Sequence, residues 1–567
     1  MQASNSATTP DLPRALQQWR ARLGEDAVLT AAAAEAYARD TSPHRQSIAA
    51  ALVPASRHDV PAIVEIARRH RVPLYPISCG RNWGYGSANP PAAGCVILDL
   101  HRLQEISIDE ELGLVTLEPG VTQQALYDYL ERRGLPFMVP VTGGGPKCSV
   151  LGNALERGYG STPNTDHFGA VMGIEAVLPT GEVYRSPLAE LGGDAGEYVY
   201  KWGVGPYLDG LFAQGGFGVV TRMTIALVRR AERSGVFLFS VRDDRDLESA
   251  VAAVQRVLRT AGSNVGGINL MSDLRVLTMA VSPPRSRMAS TGALSSDIVA
   301  ELSRRIGIGA WSGLCSVFGS REHFGATRRL VKRMLGPHVQ DLFFLDNRTV
   351  SLVKRAAAVL PRGPGRLGRL GAQVQSKVEF MARRLDLTQG RPSELALPLA
   401  YWRSRTDAPT QELDPGRDGC GILWYAPVVP MRPDRVRRYV DLVRRECRTH
   451  GLDAPITLTS LSSTAFDSTI PLLFCRDSEV QSTRAQACYR GLFAAGQREG
   501  FVPYRVGAQF MPLLVEQPRV CWQLGDRLKR AADPEGILAP GRYARLPDGV
   551  ARTAGDEVQI LTDEVAQ

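Results

Sequence analysis

The sequence predicts a mixed α+β fold in two or more domains, and three observations carry that expectation. At 567 residues the chain is longer than one hydrophobic core usually supports. Through its first 230 residues, short apolar segments of strand character alternate with amphipathic helical ones. Two long glycine-rich stretches, 76–86 and 143–160, break that alternation where tight turns and close backbone approach are needed.

Taken in order, 15–23 and 31–37 read as two short helices and 49–54 as a brief apolar strand. Asp59 is placed to cap the next helix, where Val60, Ile63, Val64 and Ala67 make one apolar face and Pro61 sits in the tolerant first turn. The apolar segment 72–75 then runs into Pro76-Ile-Ser-Cys-Gly-Arg-Asn-Trp-Gly-Tyr-Gly86. Its glycines let several main-chain N–H groups converge on one anion such as a diphosphate. A plain tight turn explains the same glycines, and the stretch is neither a Walker loop nor a GxGxxG.

Segments 96–100 and 114–117 read as strands, the second leading into Glu118-Pro-Gly-Val-Thr122, where Thr122 can cap a helix carrying Leu126, Tyr127 and Leu130. The second glycine stretch follows. Two such loops separated by a strand–helix unit suit a long, two-ended anionic ligand better than a single phosphate. Segments 172–178 and 182–185, joined by Pro-Thr-Gly, read as a hairpin, and 205–221 leads into a strand at 222–228.

Composition excludes several classes. The net charge of +9 and pI near 9.1 come from 61 arginines and six lysines spread along the chain, whereas nucleic-acid binding needs a focused basic patch. Nine cysteines, an odd number with no CxxC pair, imply neither a disulfide framework nor a zinc site, and no metal is expected. Reduced thiols fit a cytoplasmic protein. The N-terminus has no basic start followed by an apolar core, and no run of about eighteen apolar residues suggests a membrane span.

The words PISCGRNWGYG, LEPGVT, SVLGNALERGYGSTP, GPYLDGLFAQ, GLD at 451, PYR at 503 and DPEGILAPGR at 533 stand in one order along most of the chain. In that order the sequence resembles the vanillyl-alcohol oxidase and p-cresol methylhydroxylase family of flavoproteins. The resemblance implies an FAD-binding domain from residues 1–230, a substrate cap with an antiparallel sheet from 231–500, and a C-terminal return to the FAD-binding domain at 501–567. Candidate cap strands are 235–241 and 421–427, with a helix at 433–450. The stretch 360–373, where prolines and glycines interleave with arginines, reads as an exposed loop.

The resemblance further implies that FAD is held by Pro76, Ile77, Ser78, Cys79, Gly80, Arg81, Asn82, Tyr85 and Gly86 of the first stretch and by Pro119 and Gly120. From the second stretch it implies Gly144, Ser149, Gly152, Asn153, Glu156, Gly158 and Gly160, and later Gly218, Val220 and Arg542. The family oxidises phenols at the para benzylic carbon, which requires a stabilised phenolate. Tyr85, Tyr504 and Arg505 match the two tyrosines and the arginine that do so. Arg384 matches an arginine that would stabilise the reduced flavin's negative charge. A small aromatic substrate, oxygen or a cytochrome-like protein as electron acceptor, and a homodimer are implied as well.

Departures from the family pattern are equally informative. Where the oxidase branch carries an aspartate before its GGG loop, this chain has Val141 and Thr142. The family's histidine-bearing cap stretch reads Ala465-Phe-Asp-Ser-Thr469, which makes Asp467 the substitute general base. The histidine that links flavin in the oxidase branch is Ile422, so noncovalent FAD is favoured, with Tyr401 as a minority candidate for a tyrosyl link. The competing expectations are a 2-hydroxy-acid dehydrogenase on the same fold and a noncatalytic flavin- or ligand-binding protein.

Overall fold

The computed structural model describes residues 10–547 apart from 161, 194–196, 289–291, 347–348, 350–354, 356–384 and 387. The N-terminal alternation of strand and helix resolves into two main sheets. In the first, β1 (Val28–Leu29), β2 (Ile48–Leu52), β3 (Leu74–Ile77) and β4 (Cys95–Asp99) lie in the order β1-β2-β4-β3, with β4 parallel to both neighbours. A parallel strand covered on both faces reads as an unbroken apolar run, and Cys95, Val96, Ile97 and Leu98 are all fully buried.

The helix Val60–His70 lays Val60, Ile63, Val64 and Ala67 on this sheet. Asp59 does not cap it. Its backbone is already helical, and its carboxylate takes a hydrogen bond from Arg22 at 3.1 Å instead.

β5 (Ile106–Asp109), β6 (Leu114–Leu117), β7 (Phe137–Met138), β8 (Val171–Val177), β9 (Val183–Arg185), β10 (Val219–Ala226) and β11 (Val228–Arg229) follow. Five of them form an antiparallel sheet in the order β5-β6-β10-β8-β9, and β7 pairs with β11. Thr122 caps the helix Gln123–Arg132 by accepting from the Ala125 N–H at 3.1 Å. Ser149 caps Val150–Leu155 by accepting from the Gly152 N–H at 2.9 Å.

The middle of the chain forms one antiparallel sheet from β12 (Arg233–Val241), β13 (Val265–Ser272), β14 (Trp311–Gly319), β15 (Gln340–Asp346), β16 (Cys420–Pro430), β17 (Thr457–Ser460), β18 (Ala465–Cys475) and β19 (Pro503–Arg505). Their order is β15-β12-β14-β13-β17-β18-β16-β19. Alternate positions face opposite ways. Ile268, Leu270, Leu458, Phe466 and Ile470 join a core shared with the helices Leu247–Ala261, Pro433–Thr449 and Glu479–Glu499. The residues between them, Asn269, Thr457, Thr459, Asp467 and Thr469, face a cavity.

Gly500 ends the helix Glu479–Glu499 with φ +79°, a left-handed cap that glycine adopts freely. β19 then adds to the edge of the large sheet through β16. The chain returns to the first sheet further on: the Leu74 N–H donates to Ile537 O at 2.7 Å and the Ala539 N–H to Leu74 O at 2.8 Å. Buried Lys529 pins this arm, its ammonium reaching Asp533, Gly216 O and Leu538 O. The stretch 360–373 and Arg384 lie outside the described residues. Among the described residues no helix is long and apolar enough to cross a membrane, and no cluster of metal-ligating side chains occurs. All nine cysteines are free thiols.

Candidate active site

The two glycine stretches and the open face of the large sheet enclose a cavity of about 500 Å³. On one side its wall is main chain. Directly after β3 the backbone turns at Gly80 with φ +62°. None of the amide N–H groups of Cys79, Gly80, Arg81 and Asn82 is spent on a protein acceptor among the described residues. Four successive unspent donors in residues that line a cavity are the groups an anion nest requires.

The second stretch closes against the first. A Cβ at Gly152 would sit 2.3 Å from Ser78 Oγ, so only glycine lets the capped helix Val150–Leu155 approach this closely. Behind it, His167 Nδ1 and Asn153 Nδ2 are 2.5 Å apart, and burial holds the imidazole neutral, its pKa lowered to about 4.

Every residue predicted to hold the cofactor lines this cavity except Gly86 and Gly120. Those two serve backbone packing instead. A Cβ at Gly120 would lie 2.2 Å from His101 O, and one at Gly86 would lie 2.9 Å from Ala508 Cβ. Arg542 reaches the cavity from the returning C-terminal arm, donating to the Tyr75 hydroxyl at 2.9 Å and pairing with Glu156. Glu156 also meets Arg505 at 3.2 Å, so one carboxylate from the glycine-rich wall holds an arginine on each side.

On the opposite side the wall is made of side chains. The Arg505 guanidinium lies 4.1 Å from the centre of the Tyr85 ring and donates to the Asn82 side chain. The Tyr504 ring meets Tyr159 edge-on at 5.8 Å, and its main-chain oxygen accepts from Gln214 Nε2 at 3.1 Å. Burial pushes both the Tyr85 and Tyr504 phenols well above their ordinary range, so they stand as neutral donors.

Asp467, on β18, completes the group. Its carboxylate shares the cavity with Tyr504 and Arg505, and Asp467 Oδ1 is buried without a partner. Burial raises its pKa to about 7, against the opposing pull of the Arg505 charge. Tyr85, Asp467 and the adjacent pair Tyr504 and Arg505, drawn from three distant parts of the sequence, therefore share one cavity.

The donor set fits a dinucleotide: an amide nest for a diphosphate, a second glycine loop opposite it, and a mixed polar and apolar chamber beyond. An FAD-binding domain model matches residues 48–186. The 1'-carboxy-chondrochloren decarboxylase of Chondromyces crocatus is 36% identical over 540 residues, covering 94% of this chain and 98% of that protein. The 4-cresol dehydrogenase [hydroxylating] flavoprotein subunit of Pseudomonas putida is 28% identical over 554 residues, covering 96% and 98%. A crystal structure of p-cresol methylhydroxylase with substrate bound superposes with a TM-score of 0.82 at 26% identity, covering 94% of this chain and 97% of that one. The chain belongs to the vanillyl-alcohol oxidase and p-cresol methylhydroxylase family. It is an FAD-dependent oxidoreductase by that membership, with the family's two-part fold and antiparallel cap sheet.

Within this family the departures read from the sequence acquire positions. Thr142 lines the cavity, but its hydroxyl is occupied by Gln123 Nε2 at 3.0 Å and the Gly144 N–H at 3.3 Å. Ile422 presents an apolar side chain to the cavity, and no histidine is among the lining residues. Tyr401 does not line it: its hydroxyl donates to Asp418 at 2.6 Å and accepts from the Asp414 N–H at 3.0 Å.

Sequence reading did not single out Asn269, Arg275, Trp424, Thr457, Thr459 or Tyr159, all of which line the cavity. Strand alternation extended from Asp467 offers a signal for Thr469 on the same strand. Nothing local announces Thr459, which lies opposite Asp467 only because β17 pairs with β18.

Proposed function

We propose that this flavoprotein oxidises a para-substituted phenol at its benzylic carbon, passing through a quinone methide. The observation that carries this reading is the convergence of Tyr85, Tyr504 and Arg505 on the cavity lined by the cofactor loops. FAD, when bound, supplies the hydride acceptor. Arg505 contributes a positive charge, and two tyrosines with raised pKa values donate without ionising, so the substrate rather than the protein carries the negative charge. Phenolate formation pushes electron density toward the para carbon and weakens its C–H bond. The residues would thus hold and charge the substrate while the cap sheet excludes water.

The fate of the quinone methide is a finer question. The most similar relative reported above is named a decarboxylase. A quinone methide bearing a carboxylate on the carbon next to the benzylic one can lose CO2: the C–CO2 bond pair becomes a new double bond and the ring returns to a phenolate. The absence of a carboxylate at Val141 and Thr142 supports this outcome over addition of water, because no base stands there to activate one. We further propose that FAD is held noncovalently, since Tyr401 is engaged elsewhere and Ile422 cannot form a bond to it. Reoxidation by oxygen or a cytochrome-like protein, a homodimeric assembly and a cytoplasmic location are part of the same proposal.

Anaerobic addition of a 4-alkylphenol to the purified flavoprotein is expected to bleach its visible spectrum, with lactate and glycolate leaving it unchanged. Bleaching by the hydroxy acids alone would overturn the proposal. Acid precipitation before the spectrum is taken is expected to leave the yellow colour in the supernatant.

A further inference from the structure

We infer that the substrate carries a carboxylate on its para side chain and that Arg275 binds it. The inference rests on the phenol reading above and narrows its substrate class to 4-hydroxyphenyl alkanoates and their relatives. Arg81 and Arg542 meet the cavity from the cofactor side, while Arg275 and Arg505 meet it from the cap sheet and the helix that follows β13. A simple alkylphenol develops one negative charge, at its oxygen, and Arg505 already stands at that end beside Tyr85. A second guanidinium, set apart from the first, suits a second anionic group.

The chain fixes Arg275 through both its backbone and its side chain. β13 ends at Ser272, whose hydroxyl accepts from the Arg275 N–H at 3.3 Å and so caps the helix Asp273–Ala280. That places Arg275 in the first helical turn, from which its side chain reaches across the sheet and donates from Nε to the Thr457 hydroxyl at 2.8 Å. The guanidinium lies 5.7 Å from the centre of the Trp424 ring. Held in this way it needs little reordering when a ligand arrives. A guanidinium has five N–H donors, so it can keep its protein contacts and still offer donors to a carboxylate. At 7% exposure its charge acts through little water, which strengthens its pull on an anion in the cavity.

The register of the sheet sets the spacing of the two charges. Asn269, Thr459 and Asp467 form one row across β13, β17 and β18, and Met271, Thr457 and Thr469 form the next. All six line the cavity. The Arg505 charge acts on Asp467 in the first row, and Arg275 is anchored to Thr457 in the second. Two residues along a strand separate the rows by about 7 Å. That is the scale of the span from a phenolic oxygen, across the ring, to a carboxylate on the second carbon of a para side chain. Met271 and Trp424 line the same part of the cavity as Arg275 and give apolar surface to the carbon atoms of that side chain. The contact orients the side chain and breaks no bond, whatever the later fate of the quinone methide.

The test uses 4-hydroxycinnamate and its primary amide, two ligands of one shape whose unsaturated side chains have no benzylic hydride to give. Their dissociation constants are read at neutral pH from the perturbation of the flavin spectrum of the holoprotein. The wild type is expected to bind the acid at least about tenfold more tightly than the amide, as for hydrogen bonds between charged groups. Arg275→Met should erase that preference while leaving the affinity for the amide near its wild-type value, and Arg275→Lys should keep part of it. Arg505→Met should weaken both ligands alike. Flavin absorbance of each variant verifies the fold. Equal affinities for acid and amide in the wild type, a comparison that needs no variant, overturn the role of Arg275 and leave the phenol reading standing. So does a preference for the acid that survives Arg275→Met. If neither ligand perturbs the flavin of the wild type, the phenol reading fails and the inference with it.

Discussion

The two walls of the cavity are built from different materials. Around 76–86 and 143–160 the surface is main chain, made accessible by glycines and by amides left without protein acceptors. Across from it, β13, β17, β18 and β19 present alternate side chains of one sheet. The first wall recognises a group common to every turnover and is damaged by added atoms. The second recognises what varies, and is damaged by removed ones. Cofactor retention and substrate ionisation are therefore separable properties of a single cavity, coupled in the structure chiefly where Glu156 holds both Arg542 and Arg505.

The largest expected effect comes from breaking the side-chain wall. Arg505→Met keeps the length of the side chain over Tyr85 and removes the charge, and the anaerobic flavin reduction rate with a 4-alkylphenol should fall by about a thousandfold, as for loss of a preorganised charge at a developing oxyanion. Flavin content should stay close to one per chain. A variant that lost its flavin in proportion to its rate would show that the two walls are not separable.

Disturbing the backbone packing next to Pro119, which lines the cavity beside the main-chain wall, should give the reverse pattern. Gly120→Ala forces a Cβ to within 2.2 Å of His101 O and 2.6 Å of Leu103 O, both backbone atoms that cannot rotate away. The expected cost is about 3 kcal/mol of stability, at the upper end for overpacking, read as a lower denaturation midpoint and as flavin released on dilution. The fraction that retains flavin should reduce at the wild-type rate. Unchanged flavin retention would mean that the 101–103 turn yields more readily than its packing suggests.

The same contrast governs what the sequence disclosed. A main-chain wall is written locally. Glycine words and the Thr122 cap are each fixed by residues within a few positions, and both were legible; the Ser149 cap is equally local but was not read. The resemblance did not separate a glycine facing a ligand from one needed for packing: Gly86 and Gly120, which it assigned to the cofactor, do not line the cavity. Local reading placed Asp59 as a cap, because nothing nearby shows that Arg22, on another helix, claims its carboxylate.

The side-chain wall is written at long range. Asn269 meets Thr459 across 190 positions, and Arg275 reaches Thr457 across 182. No window of sequence contains either pair, so those residues were missed. Tyr85, Tyr504 and Arg505 were found because the family resemblance supplied the long-range information that periodicity lacks.

The smallest expected effect is a difference in pH dependence, and here the walls should carry opposite signs. His167, 2% exposed behind the glycine-rich wall, has its pKa lowered from 6.5 to about 4. Between those values the unfolded chain binds a proton that the native protein does not, so its contribution to stability is lost as pH falls. Asp467, 4% exposed, has its pKa raised from 3.8 to about 7. In that window the native protein holds a proton that the unfolded chain has released, so its contribution is lost as pH rises. Each slope is about 1.4 kcal/mol per pH unit, and between roughly pH 4 and 6.5 the two nearly cancel. Removing one should expose the other. Asp467→Asn is expected to gain on the wild type by about that slope as pH rises from 4 toward 7, and His167→Gln to gain on it as pH falls from 6.5 toward 4. Denaturant midpoints of the holoproteins across that range measure both. Parallel curves for both variants would mean that the native protein admits water to one wall or the other, and the separation of the cavity into a neutral-imidazole side and a protonated-carboxyl side would have to be abandoned.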